Sequence, residues 1–258
     1  MSFFPSIATQ IIANAPSQRS AIGNHKAGPP TSGVRNHREA QIRSVIEQRG
    51  LLYPLDVLLV GATGSGKSST LNAIFGDSVS KVGDGVDPET QSISAYMVHD
   101  YLRIHDSAGL GDGKAADFEH AKNISHELLR VIEVNGQKNK FIDLAMVLLD
   151  GGSRDLGTAY QLLQTVVMKT IEPERVIVVI NQADMAMKGR GWDEECNQPG
   201  PDLKNFLEEK SQSTQKRIKE ATGLQIRKPV YYSALRQYNI KGLIDHIILH
   251  LPRQRRLA

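Results

Sequence analysis

Leu-Leu-Val-Gly-Ala-Thr-Gly-Ser-Gly-Lys-Ser-Ser-Thr, residues 58–70, decides how the rest of the chain is read. Gly61, Gly66, Lys67 and Ser68 fit the spacing G-x-x-x-x-G-K-[ST], with an apolar run before it and a helical pattern after it. Glycine lets the backbone curl so that successive N–H groups point inward and cradle phosphate oxygens. Lys67 brings a point charge to the β- and γ-phosphates, and the Ser68 hydroxyl can ligate Mg²⁺. A helix opening at Lys67 adds the positive end of its dipole. Thr63, Gly64, Ser65 and Ser69 lie within or beside the same wrap and count with these four as nucleotide-binding candidates.

Outward from this loop, apolar strands alternate with helical patterns, the signal for a mostly parallel sheet with helices on both faces. Strands are expected at 57–60, 94–98, 102–105, 142–149, 175–180 and 230–232. Helices are expected at 67–75, 115–134, 156–170, 202–222 and 240–251. The apolar runs at 57–60 and 175–180 do not alternate, as befits strands covered on both faces. Residues 1–35 are rich in Ser, Pro, Gly and Ala and read as a poorly ordered segment. Residues 36–50 read as an appended helix that Gly50 stops, 51–252 as one α/β domain, and 253–258 as a basic tail.

Further stations follow the loop in order. Asp106-Ser107-Ala108-Gly109 closes the strand at 102–105, where Asp106 can hold Mg²⁺ through water and the Gly109 N–H can meet a γ-phosphate. Thr90 lies in the Gly- and Asp-rich stretch between, where a threonine can bind Mg²⁺ only while a γ-phosphate is present. Ser68, Thr90 and Asp106 are therefore the metal candidates, and Lys67, Thr90 and Gly109 the catalytic ones. Asn181-Gln182-Ala183-Asp184 follows the strand at 175–180. A carboxylate at Asp184 can accept both N–H groups on one edge of guanine, whereas adenine would leave it unpaired. Asn181 is placed to brace neighbouring loops. Ser233-Ala234-Leu235, after the last strand, can set a backbone N–H against the guanine oxygen.

Taken together, these residues resemble the Ras-like GTPase superfamily, in the branch that holds Era-like, TrmE-like, septin-like and immunity-associated GTPases. The closest match is Gly66-Lys67-Ser68-Ser69-Thr70-Leu71-Asn72-Ala73-Ile74-Phe75-Gly76, with Asp-Ser-Ala-Gly-Leu-Gly from Asp106. Asp155-Leu156-Gly157-Thr158 and Gly189-Arg190-Gly191-Trp192 are similar to small bacterial, prophage-borne Era-like GTPases. The resemblance implies a three-layer G domain with a six-stranded sheet, bound GTP or GDP with Mg²⁺, and a molecular switch with slow intrinsic hydrolysis. Two positions depart from the pattern. Gln182 stands where the family carries the Lys whose stem covers the purine, and Leu110 where Ras-type enzymes carry the water-positioning Gln. Gly64 replaces the Asn of potassium-assisted loops, so the resemblance implies help from a homodimer across the nucleotide face, with Arg154 a candidate arginine. The alternative is a nucleotide-binding regulatory module without significant turnover; an ATPase is opposed by Asp184.

Composition sets outer bounds. Of 258 residues, 40% are apolar and 23% charged, enough to bury a core. A single cysteine, Cys196, excludes an intramolecular disulfide and fits a reducing cytoplasm. Phe3 and Phe4 meet Pro5 at once with no basic region before them, so no secretory leader is expected. The net charge of +3 gathers at the ends, which suit an anionic partner such as RNA, a ribosome or a membrane surface, or are simply solvated. No aromatics interleave with the charges, which favours solvation. Acidic neighbours at Asp193, Glu194 and Glu195 make Cys196 unreactive. Trp192 is either a partner contact or a loop anchor, and the eight histidines show no ligand spacing.

Overall fold

The computed structural model describes residues 35–75, 81–82, 93–107, 114–153, 157 and 162–258. Thr90, Gly109, Leu110, Arg154 and the segment before residue 35 lie outside them.

Three runs build the centre. β1 (Leu55–Gly61) is buried at every position, as is β8 (Val176–Asn181), and β7 (Leu144–Asp150) is buried up to its last residue. Runs without alternation are expected where helices cover both faces. β1 lies between β7 and β4 (Leu102–Ser107), parallel to both, with Gly61 opposite Leu148 and Leu59 opposite Asp106. β7 carries β8 in parallel, with Asp150 opposite Asn181, and β11 (Val230–Tyr231) closes that side. On the other side β3 (Ile93–His99) runs antiparallel to β4. The expected six strands thus form one mixed, mostly parallel sheet, joined at the β3 edge by the two-residue β2 (Lys81–Val82).

Each face is sealed by its own apolar layer. On one side α1 (Arg35–Arg49), α2 (Lys67–Phe75) and α6 (Ile240–Leu249) pack on β1, β4 and β8, with Ile42, Ile46, Leu71, Phe75 and Ile247 buried. α1 is tied across to α6 by Arg38 and Asp245, 2.8 Å apart. On the other side lie α3 (Lys114–Leu129), the π-helical turn Leu163–Val167 continued by α4 (Met168–Thr170), and α5 (Pro201–Thr222). Ile124, Leu128, Leu163, Val167 and Ile218 fill that layer. Each fully buried Leu or Ile contributes about 1.5–3 kcal/mol. Among the described residues no helix is long and apolar enough to cross a membrane.

Two expectations are corrected. The helix read over 115–134 ends at Leu129; Val131–Val134 is β5, paired antiparallel with β6 (Gln137–Lys140). The β-branched Val131, Ile132 and Val134 suit a strand, and Asn135-Gly136 at φ 53° and 76° make the two-residue turn that such a hairpin prefers. The tail read as a basic end is packed against the domain. Arg256 is buried with its guanidinium on the carbonyls of Leu128, Ile142 and Thr170, and Asn139 bridges Leu257. A guanidinium that caps several carbonyls is well suited to such a buried place.

The edge of the sheet away from the loop holds a buried charge cluster. Asp56, the second residue of β1, accepts Arg103 Nε at 2.5 Å and Arg103 Nη2 at 3.0 Å, with His105 Nε2 at 2.6 Å. Asp143, just before β7, accepts the Asp56 N–H at 3.0 Å. Burial pushes the Asp143 carboxyl up to about 7; the neighbouring Asp56 charge adds to this, while Arg175 and Arg256 oppose it. Folded protein therefore keeps this group protonated up to about pH 7, whereas the unfolded chain ionises it near pH 4, about the ordinary aspartate value. Folding takes up a proton between those values, so stability falls as pH rises from about 4 and levels off above about 7. Asp143→Asn keeps the acceptor and removes the charge. It is expected to leave the melting temperature near pH 4 unchanged and to raise it at pH 8 by about 4–8 °C, on the order of 2 kcal/mol. An unaltered pH–stability curve in the variant would remove Asp143 as its source.

Candidate functional site

The carboxyl ends of β1, β4, β7 and β8 meet at one edge, where open parallel sheets leave a crevice for ligands. The loop from Gly61 to Ser68 arches over that edge. A Cβ on Gly61 would stand 2.9 Å from the Leu148 carbonyl of β7 and 2.8 Å from Ser65 Oγ, so no side chain fits there without displacing the backbone of the sheet. Thr70, one turn into α2, donates to the Gly66 carbonyl at 2.7 Å and meets the buried Tyr232 hydroxyl at 2.7 Å. Lys67 Nζ donates to the carbonyls of Gly61 and Ala62, each at 3.2 Å, which folds its stem back over the loop.

Asn181 joins this loop to the far one. Its Nδ2 donates to Ser65 O at 3.0 Å, and its Oδ1 accepts the Ala234 N–H at 3.0 Å. Gly66 is left-handed at φ 88°, and a Cβ there would lie 2.2 Å from Asn181 Nδ2. Gln182, itself left-handed, donates from Nε2 to Gly64 O at 2.8 Å. Its amide thus braces the phosphate loop. Of the backbone N–H groups of Ser233-Ala234-Leu235, that of Ala234 is engaged by Asn181.

At this edge two carboxylates carry buried oxygens with no partner among the described residues. Asp106 Oδ1 is one; its Oδ2 lies 3.5 Å from Ser68 Oγ, which brings the two metal candidates together. Burial pushes the Asp106 carboxyl above the ordinary aspartate range, against the pull of the Lys67 charge. A desolvated carboxylate beside a hydroxyl, with one oxygen unmatched, fits a divalent cation completed by phosphate oxygens and water. Asp184 Oδ1 is the other, in the short 3₁₀ turn Ala183–Met185. Ser65 Oγ is also buried and has no partner among the described residues, while Ser68, Ser69 and Leu235 are exposed at the rim.

Three features escaped sequence reasoning. Tyr232 buttresses α2 from the residue after β11, far along the chain. Arg236 stands one residue beyond Leu235, with its Nε 3.9 Å from Asp184 Oδ2. The stretch 189–201 holds a small hairpin, β9 (Trp192–Asp193) with β10 (Gln198–Pro199), and Trp192 packs edge-on against Tyr238 at 5.3 Å as a loop anchor. Cys196 on that hairpin is exposed, and its bond to Asp193 raises the thiol above its usual value, so it stays protonated.

Residues 56–182 match the family model described as 50S ribosome-binding GTPase. The chain is similar to Toc33 from Arabidopsis thaliana in complex with GDP and Mg²⁺, at 15% identity and a TM-score of 0.55 over 86% of this chain and 94% of that one. A dimerization-deficient mutant of Toc33 gives 15% identity and a TM-score of 0.56 over the same shares. A variant of Era from Aquifex aeolicus bound to GDP and tetrafluoroaluminate gives 18% and 0.47, over 76% of this chain and 56% of that one. A search of curated proteins finds no match. The fold is that of a P-loop GTPase α/β domain, and the family match supports GTP binding and hydrolysis in general.

The bridge at Asn181 sets an expectation for Gly66→Ala. The alanine must adopt a left-handed backbone and push the Asn181 amide from its two partners, which together cost about 2–3 kcal/mol. Chemical denaturation should read this loss, and less than the sum of the single losses should appear in Gly66→Ala with Asn181→Ala, because the clash is then gone. Full additivity would show that Gly66 and Asn181 act apart.

Proposed function

We propose that this chain binds GTP and Mg²⁺ at the loop 61–68 and hydrolyses GTP to GDP and phosphate as a molecular switch. The observation that carries this is the Asn181 bridge. One buried amide fixes the phosphate-type loop through Ser65 and the turn Ser233-Ala234-Leu235 through Ala234, with Asp184 and its unmatched oxygen beside them. A phosphate cradle and a base-reading carboxylate are thereby held at one spacing.

The roles follow from chemistry. Lys67 exchanges its loop carbonyls for phosphate oxygens, a stronger charge-assisted contact. Asp184 accepts from guanine N1–H and the exocyclic amino group. Ser68 and, through water, Asp106 hold Mg²⁺, which when bound neutralises charge on the β- and γ-phosphates. Thr90 and Gly109 are proposed to meet the γ-phosphate and to change position with it. Leu110 offers no group to orient water, so turnover is slow until a second copy or another partner supplies one. The Era-like branch, a nucleotide-dependent homodimer, contact with RNA, a ribosome or a membrane surface, and a cytoplasmic setting belong to the same proposal. They rest on the sequence motifs, the single cysteine and the basic residues.

Titration with fluorescent GTP and GDP, followed by single-turnover hydrolysis, tests this reading. Lys67→Ala is expected to weaken GTP by about ten- to a hundredfold, the value of a charge-assisted contact. Asp184→Asn should shift preference from GTP toward xanthosine triphosphate by about a hundredfold or more. An unchanged preference would sink the base assignment. Tight binding with equal hydrolysis rates in the Lys67→Ala and unsubstituted chains would instead show a binding module without turnover. Displacement by ATP as effective as by GTP would overturn guanine selectivity.

A further inference from the structure

The contacts around Asp184 continue outward. Asp184 is buried in its turn, yet among the described residues Oδ1 has no partner, and Oδ2 faces Arg236 Nε at 3.9 Å. That Nε makes no hydrogen bond among the described residues either. The other end of the guanidinium is held firmly. Nη1 and Nη2 of Arg236 donate to the two oxygens of Glu194 at 2.6 and 2.7 Å, a paired fork geometry. Glu194 lies between the strands of the hairpin β9–β10. The same hairpin grips the backbone of this turn, since Asn197 Nδ2 donates to Arg236 O at 2.9 Å and Trp192 packs on Tyr238. Within the turn, the Arg236 N–H donates to Ser233 Oγ at 3.1 Å.

We infer that the hairpin is a clamp on base recognition: Glu194 holds Arg236, and Arg236 positions the Asp184 carboxylate for the guanine ring. This rests on the guanine-nucleotide reading above and adds its regulation. Glu194 and Arg236 are positioning residues, set outside the ring's own contacts. Their side chains are 65% and 37% exposed, so the pair adds little to folding; exposed ion pairs are worth about 0–1 kcal/mol. Its effect is on placement. A guanidinium locked in a fork leaves its Nε at a fixed distance from Asp184, close enough to balance the charge and too far to take the oxygens that guanine needs. Loosening Arg236 has two consequences. The carboxylate is freed to turn, and the second of its two bonds to the base, the one to the exocyclic amino group, is lost first. Because the clamp lies on an exposed hairpin, anything that draws the hairpin away shortens the residence of a guanine nucleotide.

The test uses the full chain with fluorescent GDP, reading release rate, the affinity ratio of GDP to inosine diphosphate, and melting temperature. Inosine lacks the exocyclic amino group, so the ratio reports the second bond alone. Arg236→Gln is expected to speed release about tenfold and to cut the ratio several-fold, with the melting temperature within about 2 °C of the unsubstituted chain. Glu194→Gln should move both readings in the same direction by less. In an Arg236→Gln background it should add nothing, because Glu194 acts through Arg236. Release at the unsubstituted rate in both variants, or equal weakening of GDP and inosine diphosphate, would overturn the clamp alone. Failure of the unsubstituted chain to bind fluorescent GDP would overturn the nucleotide reading, and the clamp with it.

Discussion

One buried amide, that of Asn181, holds the business end of this molecule together. It is the last residue of β8, and it gives a hydrogen to the loop after β1 while taking one from the turn after β11. Only a side chain with both a donor and an acceptor on one short stem does this; aspartate has no hydrogen to give, and leucine has neither group. Because the site is buried, losing either bond strands a main-chain group away from water, at about 1–3 kcal/mol. Gly66 is the counterpart of Asn181, since its missing Cβ is the space the amide fills. Thr70 and Tyr232 repeat the tie one layer deeper, again linking α2 to the residues after β11.

The two edges of the sheet treat charge differently. At the far edge Asp56 is matched by Arg103 and His105, Asp143 by a backbone N–H, and Arg256 by the carbonyl ends of several elements. There these charged groups are matched within the fold, and the buried oxygens left over, Glu127 Oε2 and Asn139 Oδ1, lie apart from one another on different elements. At the near edge Asp106, Asp184 and Ser65 each keep a buried oxygen without a partner among the described residues. Buried oxygens usually find a hydrogen bond, so three at one crevice point to a ligand that brings its own donors and a cation.

Much of this was legible in the sequence because it depends on short-range pattern. The unbroken apolar runs of β1 and β8 announced a covered sheet, and Gly61, Gly66, Lys67 and Ser68 announced the loop. What stayed hidden depends on neighbours far along the chain. Nothing near Tyr232 says that its hydroxyl meets Thr70, and nothing near Arg236 says that Glu194 will grip it. Arg256 looked like a solvated end because basic residues usually are, and its carbonyl partners come from three separate segments. The hairpin at 131–140 is a different matter. Asn135-Gly136 marked it, but the helical period before it was carried five residues too far.

Geometry explains why the loop must lean as it does. β1 and β8 are not neighbours; β7 lies between them, so their axes are roughly 10 Å apart, twice the spacing of paired strands. Backbone groups cannot meet across that gap. The loop after β1 therefore has to cross the end of β7, and Gly61 permits it, because any side chain there would strike the Leu148 carbonyl. Once across, Ser65 and Gly64 come within reach of Asn181 and Gln182, two successive residues of one strand end. Gln182 takes the left-handed backbone that turns the chain toward Asp184, and its amide is spent on the loop. Asn181, which braces the loop after β1, and Asp184, the carboxylate proposed to read a base, thus lie at and just beyond the end of the same strand. In the proposed reading a shift of either loop moves the other, and the outer hairpin acts through the Asp184 side.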